Sequence, residues 1–240
     1  MVHNCHRIGA RTWAPVPPRF SAKWRLGFTA TPRRKDLADD VFWKHIGRLI
    51  FVGKEERLRP QVKRVWTNFK MLKTQRFNPM LAPRALLLRF LCGSKHRNKL
   101  ICTKIAEAVQ KGRKCLVLSE RLNHLSALEE GLEQAWADAV GPYPSVGWYV
   151  GGRKPHQLAE AAKAQVIFAT SQYAAEGLDI PPLDTLFLTT PLSDVEQAVG
   201  RILRPHPDKK DPIVVDFRDD AIPMFEAQAA KRDRYYSTIS

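Results

Sequence analysis

The 240 residues contain no G-x-x-x-x-G-K-[ST] loop, the arrangement whose backbone donors and lysine ammonium cradle nucleotide phosphates. No run of about eighteen apolar residues is present to span a bilayer, and the first residues lack the apolar stretch of a secretory signal. The expectation is a soluble cytoplasmic protein without a membrane partner. Cysteines are few: Cys5, Cys92, Cys102 and Cys115 include no C-x-x-C pair, so neither a zinc site nor a disulfide framework is indicated. Cys92, Cys102 and Cys115 read as small buried apolar residues. There is no internal repeat and no low-complexity segment. Acidic residues are scarce, 24 against 39 basic ones, leaving a formal charge of +15. That balance is the footprint of a phosphate-backbone binder, although charge alone also admits other acidic partners. With 44% hydrophobic residues the chain can bury a core of one full domain and part of another.

Periodicity and punctuation divide the chain. Residues 1–32 carry Pro15, Pro17 and Pro18, then Trp24–Thr31, which reads as a buried strand ending at a turn. Residues 33–97 form a mixed basic region with a helical stretch near Asp36–Ile46 and strand-like segments at Gly47–Gly53 and Val62–Phe69. From residue 98 the pattern is regular. Strands are expected at Lys114–Ser119, Ser145–Val150, Gln165–Ala169, Thr185–Thr189 and Ile213–Phe217. Helices are expected at Ile101–Lys111, Arg121–Ala139, His156–Lys163, Asp194–Leu203 and Asp219–Tyr236. Such alternation predicts an α/β fold with a parallel sheet covered by helices on both faces, whose ligands gather at the carboxyl ends of the strands. Trp136, Trp148, Phe168 and Phe187 lie in the periodic segments and read as core rather than base-stacking platforms.

The segment Gln197–Pro205, QAVGRILRP, sets Arg201 and Arg204 three positions apart, on one face if helical. Two adjacent guanidiniums suit charge developing on a transferring phosphoryl group; the alternative is a solvated basic face. Together with ATSQYAAEGLDIPPLDTLFLTTP at Ala169–Pro191 and GFTATP at Gly27–Pro32, in this order, it resembles the signature motifs of superfamily 2 helicases, with a likeness to phage-type DNA enzymes bearing a DEAH-like or DECH-like acidic motif. The resemblance implies a RecA-like second motor domain at 98–240, a connecting region at 33–97 and a remnant of the first motor domain at 1–32, acting in the cytoplasm of a phage or bacterial host.

Site roles follow from that resemblance. Arg201 and Arg204 would be finger arginines, with Gln197 near the nucleotide phosphate or attacking water and Gly200 permitting close packing. Within GLDIP, Gly177 lends conformational freedom and Asp179 would meet the ATP ribose or brace a finger arginine. His6, in the remnant of the acidic motif, would link nucleotide to the second domain, while Thr29 and Thr31 would couple nucleotide to the nucleic-acid track. Strand-end residues are candidates for that track. Arg121 or Ser119 follows one strand, Gly151, Gly152, Arg153 and Lys154 follow the next, and Thr170 and Ser171 have hydroxyls suited to a sugar-phosphate backbone. For Ser119 an ordinary strand end plus helix cap, for Thr170 and Ser171 helix capping, and for the glycine turn a plain loop stand as the alternatives.

The acidic pair expected before Cys5-His6-Arg7 is replaced by His3 and Asn4, which cannot replace two carboxylates around magnesium. His3-Asn4-Cys5 resembles the C-terminal junction of an intein, with Asn4 cyclising, His3 assisting and Cys5 receiving the acyl chain; a degenerate motif is the other reading. The implied partners are a phosphate-loop-bearing N-terminal half and single-stranded or forked DNA, with ATP and Mg bound only when that half is present. No metal site within these residues is expected. The chain alone is expected not to hydrolyse ATP. The alternative function is a stand-alone basic nucleic-acid-binding module without catalysis.

Overall fold

Gly27 marks the tightest point of the first of two compact units, residues 1–55 and 56–240. The computed structural model describes residues 2–3, 5, 8, 10, 12–29, 39–51, 58–71, 78–137, 139 and 141–239, with residues 2, 3, 39, 42 and 175–177 described by backbone alone. Strands β1 (Val2–His3) and β2 (Gly27–Phe28) pair in parallel, Val2 with Gly27 and His3 with Phe28. A Cβ on Gly27 would lie 2.8 Å from Ile46 Cγ2 and 2.9 Å from Cys5 Sγ, so close approach dictates glycine there. Helix α1 (Asp39–Ile46) packs Trp43 and Ile46 on Cys5 and Ile8.

The buried strand expected over Trp24–Thr31 is corrected: among the described residues pairing is confined to Gly27–Phe28, and Trp24 is 79% exposed. A parallel strand is buried only where neighbours flank it and helices cover both faces, and the described residues of this unit supply one two-residue neighbour. Residues 47–51 likewise form no strand, and Leu49, Ile50 and Phe51 are exposed.

The second unit holds β3 (Gln61–Trp66), α2 (Arg84–Cys92), α3 (Lys95–Gln110), β4 (Cys115–Ser119), α4 (Leu122–Trp136), β5 (Val146–Tyr149), α5 (Pro155–Lys163), β6 (Val166–Thr170), α6 (Ser171–Gly177), β7 (Thr185–Leu188), α7 (Glu196–Ile202), β8 (Ile213–Arg218) and α8 (Pro223–Ile239). Six strands form one sheet in the order β3-β8-β7-β4-β6-β5, every neighbouring pair parallel. This is the expected RecA-like arrangement. It also draws in residues 61–66, which the sequence placed in a connecting region.

Side-chain alternation along each strand sorts the core into two layers. Cys115, Val117, Phe168, Phe187 and Val215 meet Ile101, Ile105, Leu125 and Leu128 of α3 and α4. Leu116, Leu118, Ile167, Leu186 and Val214 meet Ala174, Val199, Ile202 and Tyr236 of α6, α7 and α8 on the other face. Because both faces are covered, the central strands are buried throughout and mostly apolar rather than alternating. A third cluster seats Leu87, Leu88 and Leu91 of α2 against Ile222 and Phe225.

Local chemistry sets the helix ends. Ser94 Oγ accepts the Arg97 N–H at 3.4 Å and opens α3. Pro155 opens α5 at the position that needs no donor, and Lys114 Nζ donates to the Ala162 carbonyl at 2.7 Å near that helix's end. Burial lowers the Lys114 pKa. Buried ions are matched. Arg97 binds Asp219 through Nε and Nη2 at 2.9 and 3.0 Å, and Arg232 binds Asp216 at 2.9 and 2.8 Å while Tyr236 donates to the same carboxylate at 3.2 Å. The second set ties α8 to β8; bidentate pairing offsets the desolvation that an isolated buried charge would suffer.

Candidate functional site

Arg201 and Arg204 are not on one helical face. Helix α7 ends at Ile202, so Arg201 lies in its last turn and Arg204 two residues beyond. They converge all the same. The Arg204 guanidinium forms an ion pair with Asp179, which follows α6 in the GLDIP segment. Burial first, and then the neighbouring charge of Arg204, lowers the Arg201 pKa, with Asp179 and Tyr149 opposing. Tyr149, at the end of β5, is raised by burial and packs its ring 5.6 Å from that of Tyr173. Gln197 is exposed one turn earlier on α7. These side chains form a half-open cationic corner with one carboxylate, suited to a polyanion that displaces or shares the Asp179 contact.

Gly200 lies on α7 one position before Arg201. A Cβ there would find nothing within 4 Å, so packing within the described residues does not require glycine. Gly177 closes α6 and is described by backbone alone. His6, Asn4 and Thr31 lie outside the described residues, and His3 is described only as a strand residue. Thr29 follows β2 directly and is half-buried. Cys5 is buried, which raises its thiol pKa, with its own backbone N–H opposing.

A second group lies at the carboxyl ends of β4 and β6. An open groove of about 640 Å³ is lined by Glu120, Arg121, Leu122, Asn123, Thr170 and Gln172. Arg121 reaches it while donating from Nη2 to the Ala85 carbonyl at 2.7 Å. Thr170 occupies the N-cap position of α6, yet its hydroxyl makes no capping bond. Ser171 Oγ is enclosed with no hydrogen-bond partner among the described residues. Ser119 is structural, as its alternative reading had it: fully buried, it lies 2.9 Å from His124 Nδ1, whose Nε2 is 3.1 Å from Asn98 Oδ1. Asn98 Nδ2 donates to the Cys92 carbonyl, so its oxygen accepts from Nε2 and the Ser119 hydroxyl donates to Nδ1. Burial, reinforced by Arg97, lowers the His124 pKa to about 3 and keeps the ring neutral.

Gly151-Gly152 makes a turn after β5, with Gly152 at φ +80° and open space where a Cβ would point. Backbone conformation, not crowding, selects that glycine. Arg153 and Lys154 are exposed beside it, and the Lys154 N–H donates to Gln157 Oε1 at 3.0 Å. Trp136, Phe168 and Phe187 are core residues as expected, while half-buried Trp148 packs on Phe168 and donates to Glu129. All four cysteines are buried and unbonded to one another. Among the described residues no cluster of His, Cys, Asp and Glu could hold a metal ion, and no helix is long and apolar enough to cross a membrane. Sequence reasoning missed Lys209, whose Nζ lies among the backbone carbonyls beneath the Arg204 corner; a lysine in a basic loop carries no motif that would reveal it.

The six-stranded parallel sheet covered by helices on both faces is a RecA-like α/β fold. The structure matches yeast Dbp5 bound to RNA and ADP BeF3 with a TM-score of 0.58 at 12% identity, over 96% of this chain and 56% of that one. The chain is homologous to viral proteins. It is 30% identical, over 98% of its length and 46% of the relative's, to a protein of Acanthamoeba polyphaga mimivirus provisionally named ATP-dependent RNA helicase L396. It is 25% identical, over 92% of its length and 48% of the relative's, to the similarly named QP509L of African swine fever virus isolate Pig/Kenya/KEN-50/1950. The chain thus spans about half the length of these curated relatives. No protein-family model matches it. Both relatives carry RNA in their names, where the sequence pattern led to an expectation of a phage-type DNA enzyme.

Proposed function

We propose that this chain is the second motor domain of an ATP-dependent nucleic-acid helicase or translocase. The observation that carries the reading is the convergence of Arg201, Arg204 and Asp179 at one half-open corner, from two segments whose residue patterns match helicase motifs. ATP fits this corner as one wall of a pocket. Arg201 and Arg204 would face its phosphates, Asp179 its ribose or the Arg204 guanidinium, and the bound nucleotide would supply the phosphoryl group whose charge the arginines stabilise. Magnesium would be held by carboxylates of a phosphate-loop half. The groove at Arg121 and Thr170, with the Gly151–Lys154 turn, would follow one strand through its phosphates.

The purified 240-residue chain is expected to show no ATP turnover. Mixed with a phosphate-loop-bearing first half from a relative, it is expected to restore nucleic-acid-stimulated turnover, and Arg201→Ala is expected to reduce that turnover by about a thousandfold, the scale of a finger arginine. Turnover by the chain alone, abolished by Arg201→Ala, would overturn the dependence on a second half. No gain on mixing would favour the stand-alone binding module. Competition between RNA and DNA strands of matched sequence decides the substrate; the sequence pattern favours DNA and the relatives' names favour RNA.

A further inference from the structure

Asp179 and Arg204 reach one another from two irregular segments, and neither segment is a helix or strand at the point of contact. Irregular backbone does not hold two long side chains in register by itself. Side-chain entropy and solvent screening leave a part-exposed ion pair worth little, with Asp179 69% and Arg204 37% exposed. Something else must fix the two loops.

Lys209 lies where such a fixture is needed. Its Nζ donates to the Arg204 carbonyl at 2.8 Å and to the Pro181 carbonyl at 3.2 Å. The first carbonyl belongs to the very residue that presents the finger guanidinium. The second is two residues beyond Asp179. One ammonium therefore joins the backbones of both segments. The ammonium is half-buried in doing so: burial lowers its pKa to about 8, with Asp184 opposing and Arg204 reinforcing. A half-buried cation that forms no salt bridge among the described residues carries a desolvation cost, and the two carbonyl bonds offset it.

We infer that Lys209 is a positioning residue, an ammonium clip that joins the Pro181 and Arg204 backbones and so sets the Arg204 guanidinium against Asp179. The inference rests on the proposed nucleotide role of that corner only for its purpose; the clip itself is a property of the chain alone. Lys209 touches no nucleotide in this scheme and acts through the two loops. The neighbouring Lys210 donates instead to the Lys111 carbonyl and does not share the task.

The test uses the purified chain without nucleotide, nucleic acid or a second half. Arginine-specific labelling with phenylglyoxal, mapped by mass spectrometry, reads the accessibility of Arg204 residue by residue. Asp179→Ala and Lys209→Met are each expected to raise the Arg204 labelling rate by about threefold or more, and the double variant is expected to rise no further than Asp179→Ala alone, as coupled residues do. Lys209→Arg, which keeps a donor able to reach both carbonyls, is expected to restore the wild-type rate. Thermal melting in parallel separates loosening of the corner from loss of fold. Unchanged Arg204 labelling in Lys209→Met, or effects of the two single variants that multiply independently, overturns the clip. If Lys209→Met does not fold, Lys209→Gln, whose amide reaches one carbonyl at most, takes its place with the same expectations. Failure of ATPase reconstitution would leave this result untouched, so the two readings fail separately.

Discussion

Arg204 and Asp179 stand 25 positions apart and meet because one follows α7 and the other follows α6. The motif resemblance was enough to nominate both; their ion pair, and the loss of shared helical geometry with Arg201, belong to the backbone that surrounds them. At the same scale, His124 is a buried histidine with a structural task. Its folded pKa of about 3 lies below the ordinary 6.5, so the unfolded chain takes up a proton first as pH falls. The stability it protects is whole above about pH 6.5 and declines from there toward pH 3, by an amount on the order of a few kcal/mol. Chemical denaturation at pH 7 and pH 4.5 is expected to show a steeper acid loss in the wild type than in His124→Gln. The variant is expected to be weaker at pH 7 by about 1–3 kcal/mol, because the Ser119 and Asn98 groups lose their partner.

Elements were legible in proportion to their burial on two faces. Cys115–Ser119, Val166–Thr170, Thr185–Leu188 and Ile213–Arg218 are buried along almost their whole length because helices cover both sides of the sheet, and the sequence places each of them within a residue or two. Less legible were α2 and α6. The short α6 spans Ser171–Gly177 with no signal stronger than a few small residues, and α2 sits in a region whose basic residues obscure its leucines. Strand β3, with exposed residues and cations at Lys63 and Arg64, reads as strand-like within a connecting region, and its place in the sheet is set only by pairing with β8. Packing between elements also sets requirements that no motif carries. A Cβ at Gly147 would stand 2.5 Å from the Ala161 carbonyl oxygen and 2.7 Å from its Cα, because α5 lies directly on β5. Gly147→Ala is expected to cost about 1–3 kcal/mol, read as a lower denaturation midpoint. Amide exchange should rise chiefly in α5 and β5.

For the whole molecule, charge dominates association. A formal +15 over 240 residues attracts any polyanion, so specificity has to be sought in the slope of binding against salt and in named residues. The logarithm of the affinity for a single strand is expected to fall linearly with the logarithm of salt concentration, at about 0.7 per phosphate neutralised. Arg121→Ala, Arg153→Ala and Lys154→Ala should each lower that slope by about the contribution of one phosphate, measured by fluorescence anisotropy across a salt series. A slope unchanged in all three variants would remove these positions from the track. The first unit behaves differently from the second at this scale. Its pairing is two residues long and its aromatic residues Trp13, Phe20 and Trp24 are exposed, which is why a strand that looks buried from its composition is not buried in its surroundings.

By itself the sequence determined the α/β class, the parallel sheet, the order of the motif segments and the identity of the charged and glycine residues they carry, because periodicity and apolar runs record which faces are covered. The tertiary structure alone decided that β3 closes the sheet, that Arg204 leaves its helix to meet Asp179, that Ser119 and His124 satisfy one another in the interior, and that Lys209 lies between two loops. Those outcomes depend on which backbones approach within hydrogen-bonding distance, a property of the folded arrangement that no spacing along the chain encodes.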